Sequence, residues 1–169
     1  MKIRKIILLI ASLAVLAIIA TSVYASEPSE PHDADAIWIE PSTIDITGVS
    51  VGYKFNVTVW ANASKETAGW QILLYYQRAY LNITRVGYTA GSKSEFFQDI
   101  SVIAAGPVLP YDENSTHSSL LYGEAWMSGP YRSPGYGSLC WIEFEVIAQP
   151  PEGVNIPLDI KWASIVNPS

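Results

Sequence analysis

Apolar and polar side chains alternate along most of this 169-residue chain, and this alternation constrains its fold more than any other feature. Successive residues of a β-strand point to opposite sides, so a period of two predicts strands with one buried and one solvent-facing side. In residues 140–146 the apolar side comprises Cys140, Ile142, Phe144 and Val146, and the other side comprises Trp141, Glu143 and Glu145. The other segments with strand character are 37–40, 43–47, 55–59, 70–76, 80–88, 120–127 and 156–162.

These short strands, without crossover helices between them, predict an all-β chain that folds as an antiparallel two-sheet β-sandwich; a barrel is the alternative architecture. Only residues 94–99 have the pattern of a helical turn outside the N-terminal segment. Residues 106–118 and 128–137 are irregular and are predicted to be long loops. A charged fraction of 15% with 11 Gly and 11 Pro excludes a coiled coil, a helix bundle or a disordered chain.

The N-terminus has the pattern of an export signal. Lys2, Arg4 and Lys5 precede an apolar run, which is the arrangement of a secretory signal peptide. Residues 1–25 are therefore predicted to be a signal peptide or, if uncleaved, an N-terminal anchor helix with a membrane tether through residues 6–25. Either alternative predicts a secreted or cell-surface protein.

Three segments are predicted after this leader is set apart. Residues 26–36 are acidic and contain proline, as expected of a linker. Residues 37–169 form the sandwich. Because the chain ends directly after a strand, we expect a sandwich that lacks its last strand, as a fragment would.

The charge balance excludes one class of partner. Ten basic and sixteen acidic residues give −6, and without the three basic leader residues the remainder carries −9. An acidic chain with no run of Lys or Arg offers no surface for a polyphosphate, so nucleic acid is not an expected partner.

Four Asn-x-Ser/Thr triplets predict a glycoprotein if the chain is exported. They begin at Asn56, Asn62, Asn82 and Asn114, whereas a fifth triplet at Asn167 contains Pro168 and is inactive.

The residues 54–83, together with GYGSLCWIEFEV at 135–146, resemble the cohesin-like domains of exported microbial proteins. Tyr76 and Leu81 have the spacing of the family's Tyr-Asp-Pro-x-x-Leu turn, with Gln77 and Arg78 in place of Asp and Pro. The resemblance implies that Tyr76 and Leu81 pack inward. The family's late strand is matched by Gly137, Leu139, Ile142, Phe144 and Val146. The resemblance implies a nine-stranded jelly-roll β-sandwich, from a superfamily that includes modules that bind dockerins and modules of the cellulose-binding type that bind polysaccharides.

Aromatic side chains supply the candidate binding residues. The alternation places Trp70 and Trp162 in the core. Eight other residues fall on polar faces or in the 126–136 loop and could bind a ligand, namely Trp60, Tyr122, Glu124, Trp126, Tyr131, Arg132, Tyr136 and Trp141. Outward aromatics can stack on sugar rings, anchor a protein partner or simply pair across strands, and the composition leaves these alternatives open.

Catalytic and metal sites are not predicted. Glu143 and Glu145 share one strand face, and Glu124 could oppose them as in a small glycoside hydrolase, but no motif assigns these carboxylates an acid/base role. Cys140 is the only cysteine, so it forms no internal disulfide and is expected to be a buried thiol.

No cofactor is expected. Asp112, Glu113 and Asn114 offer oxygen ligands for Ca²⁺, but they lack the spacing of a calcium loop.

The sequence therefore predicts a non-catalytic, extracellular, cohesin-like binding module. Its partner would be a dockerin-like protein module or a polysaccharide. A structural cell-envelope subunit and a small β-sandwich glycoside hydrolase are the alternatives.

Overall fold

The computed structural model describes residues 33–46, 48–100, 103–109, 114–126, 130–152 and 154–168. The predicted leader (1–25) and most of the predicted linker lie outside these residues. The described residues form eight strands and one 3-10 helix. The elements are β1 (Ala36–Glu40), β2 (Lys54–Ala63), β3 (Gly69–Gln77), β4 (Leu81–Tyr88), the 3-10 helix (Glu95–Phe97), β5 (Ile103–Val108), β6 (His117–Ala125), β7 (Gly135–Val146) and β8 (Asp159–Val166).

The strands form two four-stranded sheets with the orders β1-β2-β7-β4 and β5-β6-β3-β8. Every pair of neighbouring strands is antiparallel. The predicted all-β sandwich is therefore confirmed, and the barrel alternative is wrong. The described residues form eight strands, whereas the cohesin resemblance implies nine.

The core lies between the sheets and is built from alternate residues of each strand. Val57, Ile72, Leu120 and Phe144 come from four different strands, and each is fully buried. Cys140 also lies in this core, and burial raises the pKa of its thiol well above the ordinary value, so it is the buried thiol that was expected.

The resemblance also predicted inward packing of two turn residues. Tyr76 and Leu81 are both buried in the core cluster, so this expectation is confirmed.

Two predicted segments differ from the structure. Residues 43–46 form no strand, although Ile46 is buried in the core, and Thr47 lies outside the described residues. Conversely, β5 contains Gly106 and Pro107, which made this segment look like a loop. Proline is tolerated there because β5 is an edge strand, where one row of N–H groups has no partner strand.

The placement of Trp162 in the core is wrong, because the pairing of β8 with β3 is irregular. Leu74 is opposite Ile160 and Leu73 is opposite Trp162, so Lys161 is an extra residue between them. Such a bulge reverses the in/out alternation that follows it. Ile160 packs against the core, whereas the side chain of Trp162 is 48% exposed.

The segment before β8 also departs from its predicted strand. Ile156 and Leu158 lie outside β8 and line a cleft of about 640 Å³ together with Ile39 and Phe55.

Candidate functional site

The two sheets present outer faces of different chemistry. We call the solvent side of β1-β2-β7-β4 the charged outer face. Its residues, taken from the register of the four strands, are Ala36, Trp38, Glu40, Lys54, Asn56, Thr58, Trp60, Asn62, Asn82, Arg85, Gly87, Tyr136, Ser138, Trp141, Glu143 and Glu145. We call the solvent side of β5-β6-β3-β8 the apolar outer face, which includes Leu73, Tyr75, Val108, Leu121 and Trp162.

Charged groups on the charged outer face are bonded to one another. The Nζ atom of Lys54 lies 3.4 Å from Oε1 of Glu143, and the hydroxyl of Thr84 donates a hydrogen bond of 2.5 Å to the same oxygen. The Thr84 hydrogen bond, with a smaller contribution from the positive charge of Lys54, lowers the pKa of Glu143. Glu143 is therefore an ionised carboxylate that is paired with Lys54 and hydrogen-bonded to Thr84.

Trp141 lies flat on the same face and is covered. Its indole packs over Gly87, where a Cβ atom would approach the ring to 2.6 Å. On the ring, the guanidinium carbon of Arg85 lies 5.4 Å from the centroid. One π-face of Trp141 is thus against the sheet, and the other is occupied by Arg85.

The tryptophans at the other end of this face are also closed to solvent. Trp38 and Trp60 are opposite each other on β1 and β2 and are only 8% and 7% exposed. Trp60 shares the outward register that the sequence predicted, yet its ring offers no free surface for a ligand. Among the candidate aromatics, Tyr136 on β7 is open, with 56% of its surface exposed.

Two of the predicted ligand-binding residues are wrong, because they lie in the core. Tyr122 and Glu124 are each 3% exposed. Glu124 accepts hydrogen bonds from Nε1 of Trp70 (2.7 Å) and the backbone N–H of Ser94 (2.8 Å). Burial raises the pKa of Glu124, and these hydrogen bonds oppose that rise. Tyr122 and Glu124 lie on the same side of β6 as Leu120. The presence of this leucine in the alternating pattern indicates that this side of the strand faces the core.

The remaining three candidates come from one end of the sandwich. Arg132 exchanges backbone hydrogen bonds with Thr67 (2.8 and 3.0 Å), and its guanidinium carbon lies 5.2 Å from the ring centre of Phe96. Trp126 donates its backbone N–H to the carbonyl of Ala68 and is half-buried. Tyr131 adjoins Arg132 and is also half-buried. The structure therefore brings Trp126 and Arg132 to the same turn but separates them from Trp141.

A row of apolar side chains crosses the apolar outer face from edge to edge. Val108 is opposite Leu121, Leu121 is opposite Leu73, and Leu73 is opposite Trp162. Val108 is 47% and Trp162 48% exposed, and the two leucines between them are half-buried. We call these four residues the apolar row.

The flank of the apolar row is polar but nearly neutral. The rings of Tyr75 and His117 are in tilted contact, with centroids 6.2 Å apart and an angle of 33° between their planes. Nζ of Lys161 lies 5.9 Å from the centre of the Tyr75 ring. Lys161 also forms an ion pair with Asp159. These two opposite charges neutralise each other, so the described part of this face carries little net charge, although the chain is acidic.

Sequence reasoning missed the apolar row for a specific reason. Leu73 lies between Ile72 and Leu74, and Leu121 lies between Leu120 and Tyr122. In these strands the outward side is also apolar, so its leucines were assigned neither to a polar face nor to the candidate binding residues. An uninterrupted apolar run in a strand of a sandwich indicates that the outer face of that strand is apolar as well.

The carboxylates proposed for a glycoside hydrolase do not converge. Glu124 lies in the core, whereas Glu143 and Glu145 lie on the charged outer face of the other sheet. Within the described ranges, no three His, Cys, Asp or Glu side chains cluster closely enough to hold a metal ion. Asp112 and Glu113 of the Ca²⁺ candidate lie outside those ranges. In the described part of the chain, no helix has the length and apolarity needed to cross a membrane.

Comparisons with known proteins give matches among solved structures. No family model and no curated protein matches the chain. A type II cohesin, A11, from Bacteroides cellulosolvens matches with 18% identity and a TM-score of 0.46, over 79% of this chain and 77% of the cohesin. The seventh type I cohesin of ScaB from Pseudobacteroides cellulosolvens matches with 19% identity and a TM-score of 0.43, over 66% and 68% of the two chains.

A type II cohesin from the cellulosome of Acetivibrio cellulolyticus matches with 15% identity and a TM-score of 0.43, over 73% of this chain and 78% of the cohesin. All three of these solved structures are cohesin domains, the family that the sequence resembles.

Proposed function

We propose that the chain is an exported, non-catalytic binding module that docks a protein partner on its apolar outer face. The observation that carries this proposal is the apolar row of Val108, Leu121, Leu73 and Trp162, which spans all four strands of one sheet. Contiguous apolar surface with a polar rim is typical of protein-interaction sites on soluble domains.

The size of the row indicates how the partner is held. Complete burial of a large apolar side chain contributes about 1.5–3 kcal/mol, so covering the exposed parts of four such residues contributes about 3–6 kcal/mol. Association itself costs at least about 4 kcal/mol in lost translational and rotational freedom. The row is therefore the centre of a larger interface, and the flanking Tyr75, His117 and Lys161 supply contacts around it.

A protein partner fits this face better than a polysaccharide does. A sugar needs open aromatic rings and polar side chains that can pair with its hydroxyl groups. The apolar row has one aromatic residue, Trp162, and three aliphatic residues without hydrogen-bonding groups. On the charged outer face, Trp60 is buried and Trp141 is covered by Arg85, so that face has no open row of rings either.

The class of partner that we propose is a dockerin-type module, which is the partner that the cohesin resemblance implies. The export pattern of residues 1–25 supports a location outside the cell or at its surface. A catalytic role is not proposed, because the structure separates Glu124 from Glu143 and Glu145.

The proposal is tested by capture with matched variants. The exported chain is immobilised, incubated with culture supernatant of its source organism, and the retained proteins are identified by mass spectrometry, produced separately and titrated against the chain. We expect a retained protein that binds the wild type and Trp141→Ala but not Trp162→Ala or Leu73→Asp.

The alternatives give different results. Retention in gels that contain soluble glycans, lost in Trp126→Ala or Trp141→Ala, would instead identify a polysaccharide ligand. Self-association of the chain through the apolar row, with no second protein retained, would identify a structural subunit.

A further inference from the structure

Three of the four Asn-x-Ser/Thr triplets fall on one surface of the folded chain. Asn56 and Asn62 on β2 and Asn82 on β4 all point outward on the charged outer face. Asn56 and Asn82 are exposed, and Asn62 is half-buried. β2 and β4 are not paired with each other, because β7 lies between them in the sheet. The common face of the three asparagines therefore follows from the folded sheet and not from their positions in the sequence.

One of these asparagines has an unusual neighbour. Asn62 is directly opposite Tyr136 in the antiparallel pair of β2 and β7. Directly opposite residues have Cβ atoms about 4.5–5.5 Å apart. Tyr136 is 56% exposed, more than any other candidate aromatic residue.

The other two asparagines have carboxylate neighbours instead. Asn56 is opposite Glu143, and Asn82 is opposite Glu145. The three sites therefore share one face and one sequence pattern but differ in the side chain beside them.

We propose that Asn56, Asn62 and Asn82 carry N-linked glycans, and that the first sugar on Asn62 stacks on the ring of Tyr136. The proposal rests on export of the chain but not on the proposed docking function. It assigns Tyr136 as the platform for a covalently attached sugar rather than for a free ligand.

The chemistry of attachment uses a lipid-linked oligosaccharide as the co-reactant. The side-chain amide nitrogen of asparagine attacks the anomeric carbon of the first sugar, and an N–C bond forms. The bond from that carbon to the lipid phosphate oxygen breaks, the lipid phosphate leaves with the electron pair, and the amide nitrogen loses one proton to a base of the transferase. No oxidant or reductant is needed.

The stacking follows from the geometry of a pyranose ring. One side of the ring presents C–H groups of partial positive charge, and the π-face of a tyrosine is partially negative. A sugar attached to Asn62 starts beside Tyr136 and is tethered there, so the contact forms without a separate binding event. Glycans at Asn56 and Asn82 have no open aromatic ring as a direct cross-strand partner.

Glycans on this face also leave the other face free. The apolar row lies on the opposite side of the sandwich, and none of the three triplets is on its strands. The described residues thus place the proposed modification and the proposed docking surface back to back.

The test is a double-mutant cycle in two hosts. Wild type, Asn62→Gln, Tyr136→Ala and the double variant are secreted from a eukaryotic host with N-glycosylation and are also made in a bacterial host without it. Peptide mass spectrometry measures the occupancy of each asparagine, and thermal unfolding measures Tm. In the glycosylated proteins we expect Tyr136→Ala to lower Tm by about 2–4 °C more when Asn62 is present than when it is replaced.

Three controls separate the glycan from a direct Asn62–Tyr136 contact. The coupling must vanish in the bacterial proteins, must persist with Tyr136→Phe, which keeps the ring, and must be unaffected by Asn82→Gln. If any of the three asparagines is unmodified in the secreted protein, the proposal that all three carry glycans on the charged outer face is wrong. Equal coupling in both hosts, or none in either, overturns the stacking of the sugar on Tyr136.

Discussion

The two outer faces of the sandwich differ in what their tryptophans do. On the charged outer face, Trp38 and Trp60 are less than a tenth exposed, and Trp141 lies between Gly87 and Arg85. On the apolar outer face, Trp162 is half-exposed and is one end of a row of apolar side chains. The comparison shows that an outer face rich in tryptophan can be closed, whereas an outer face crossed by a row of one tryptophan and three aliphatic residues can be open to a partner.

The largest expected effect is a difference in stability between two matched substitutions. Trp60→Ala removes a buried indole and should lower the free energy of unfolding by about 3–5 kcal/mol. Trp162→Ala removes a half-exposed one and should lower it by about 1 kcal/mol or less. Urea unfolding monitored by circular dichroism measures both values. Similar losses for the two variants would contradict the distinction between a closed and an open face.

The second prediction concerns partner binding. Leu73→Asp places a charge at the centre of the apolar row, where docking would strip it of water. We expect the affinity for the captured partner to fall about 100-fold, or about 2.8 kcal/mol, while the variant stays folded because Leu73 is only half-buried. Titration calorimetry measures this change. Glu145→Lys on the charged outer face is the control and should leave the affinity unchanged.

The third prediction tests how Trp141 is held. In Gly87→Ala, the new methyl group would approach the indole to 2.6 Å, so the ring must leave its place beneath Arg85. Crowding of this kind lowers the free energy of unfolding by about 1–3 kcal/mol. The displaced indole should also become more accessible to acrylamide in fluorescence quenching. Unchanged stability and quenching would show that Trp141 is not held against the sheet.

The fourth prediction compares two carboxyl groups with opposite pKa shifts. Burial raises the pKa of Glu124 above 4.5, so its contribution to stability is fully present below pH 4.5 and is lost as the pH rises through the raised value. The hydrogen bond from Thr84 lowers the pKa of Glu143, so its contribution is present above pH 4.5 and is lost as the pH falls through the lowered value.

Urea unfolding between about pH 3 and pH 8 measures both effects as slopes of stability against pH. Glu124→Gln should abolish the loss of unfolding free energy that occurs as the pH rises. Glu143→Gln should abolish a loss that occurs as the pH falls. The second loss should be smaller, because Glu143 lies at the surface. A slope that neither variant changes would place the titrating groups elsewhere in the chain.

The architecture could be predicted from the sequence because most strands alternate clearly. β2 and β7 have one apolar and one polar side, and this pattern alone defines which side faces the other sheet. β5 could not be recognised, because Gly106 and Pro107 are turn residues in most contexts and are accepted here only at a sheet edge.

The candidate site was harder to predict, since it depends on details that a period of two does not contain. The bulge at Lys161 turns Trp162 outward, and a bulge leaves no mark in the pattern of apolar residues. Glu124 illustrates a second difficulty. A carboxyl group reads as solvent-facing, but here Trp70 and Ser94 satisfy it inside the core, and those partners are 54 and 30 residues away in the chain.

The central claim is that the apolar outer face contacts the partner. The most direct measurement is site-specific photo-crosslinking, with a benzophenone amino acid placed at the position of Trp162 or Leu121 and, as matched controls, at the position of Trp141 or Tyr136. The account predicts a covalent adduct with the captured partner from the first two positions and none from the other two. Adducts from the Trp141 and Tyr136 positions, with none from Trp162 and Leu121, would contradict it.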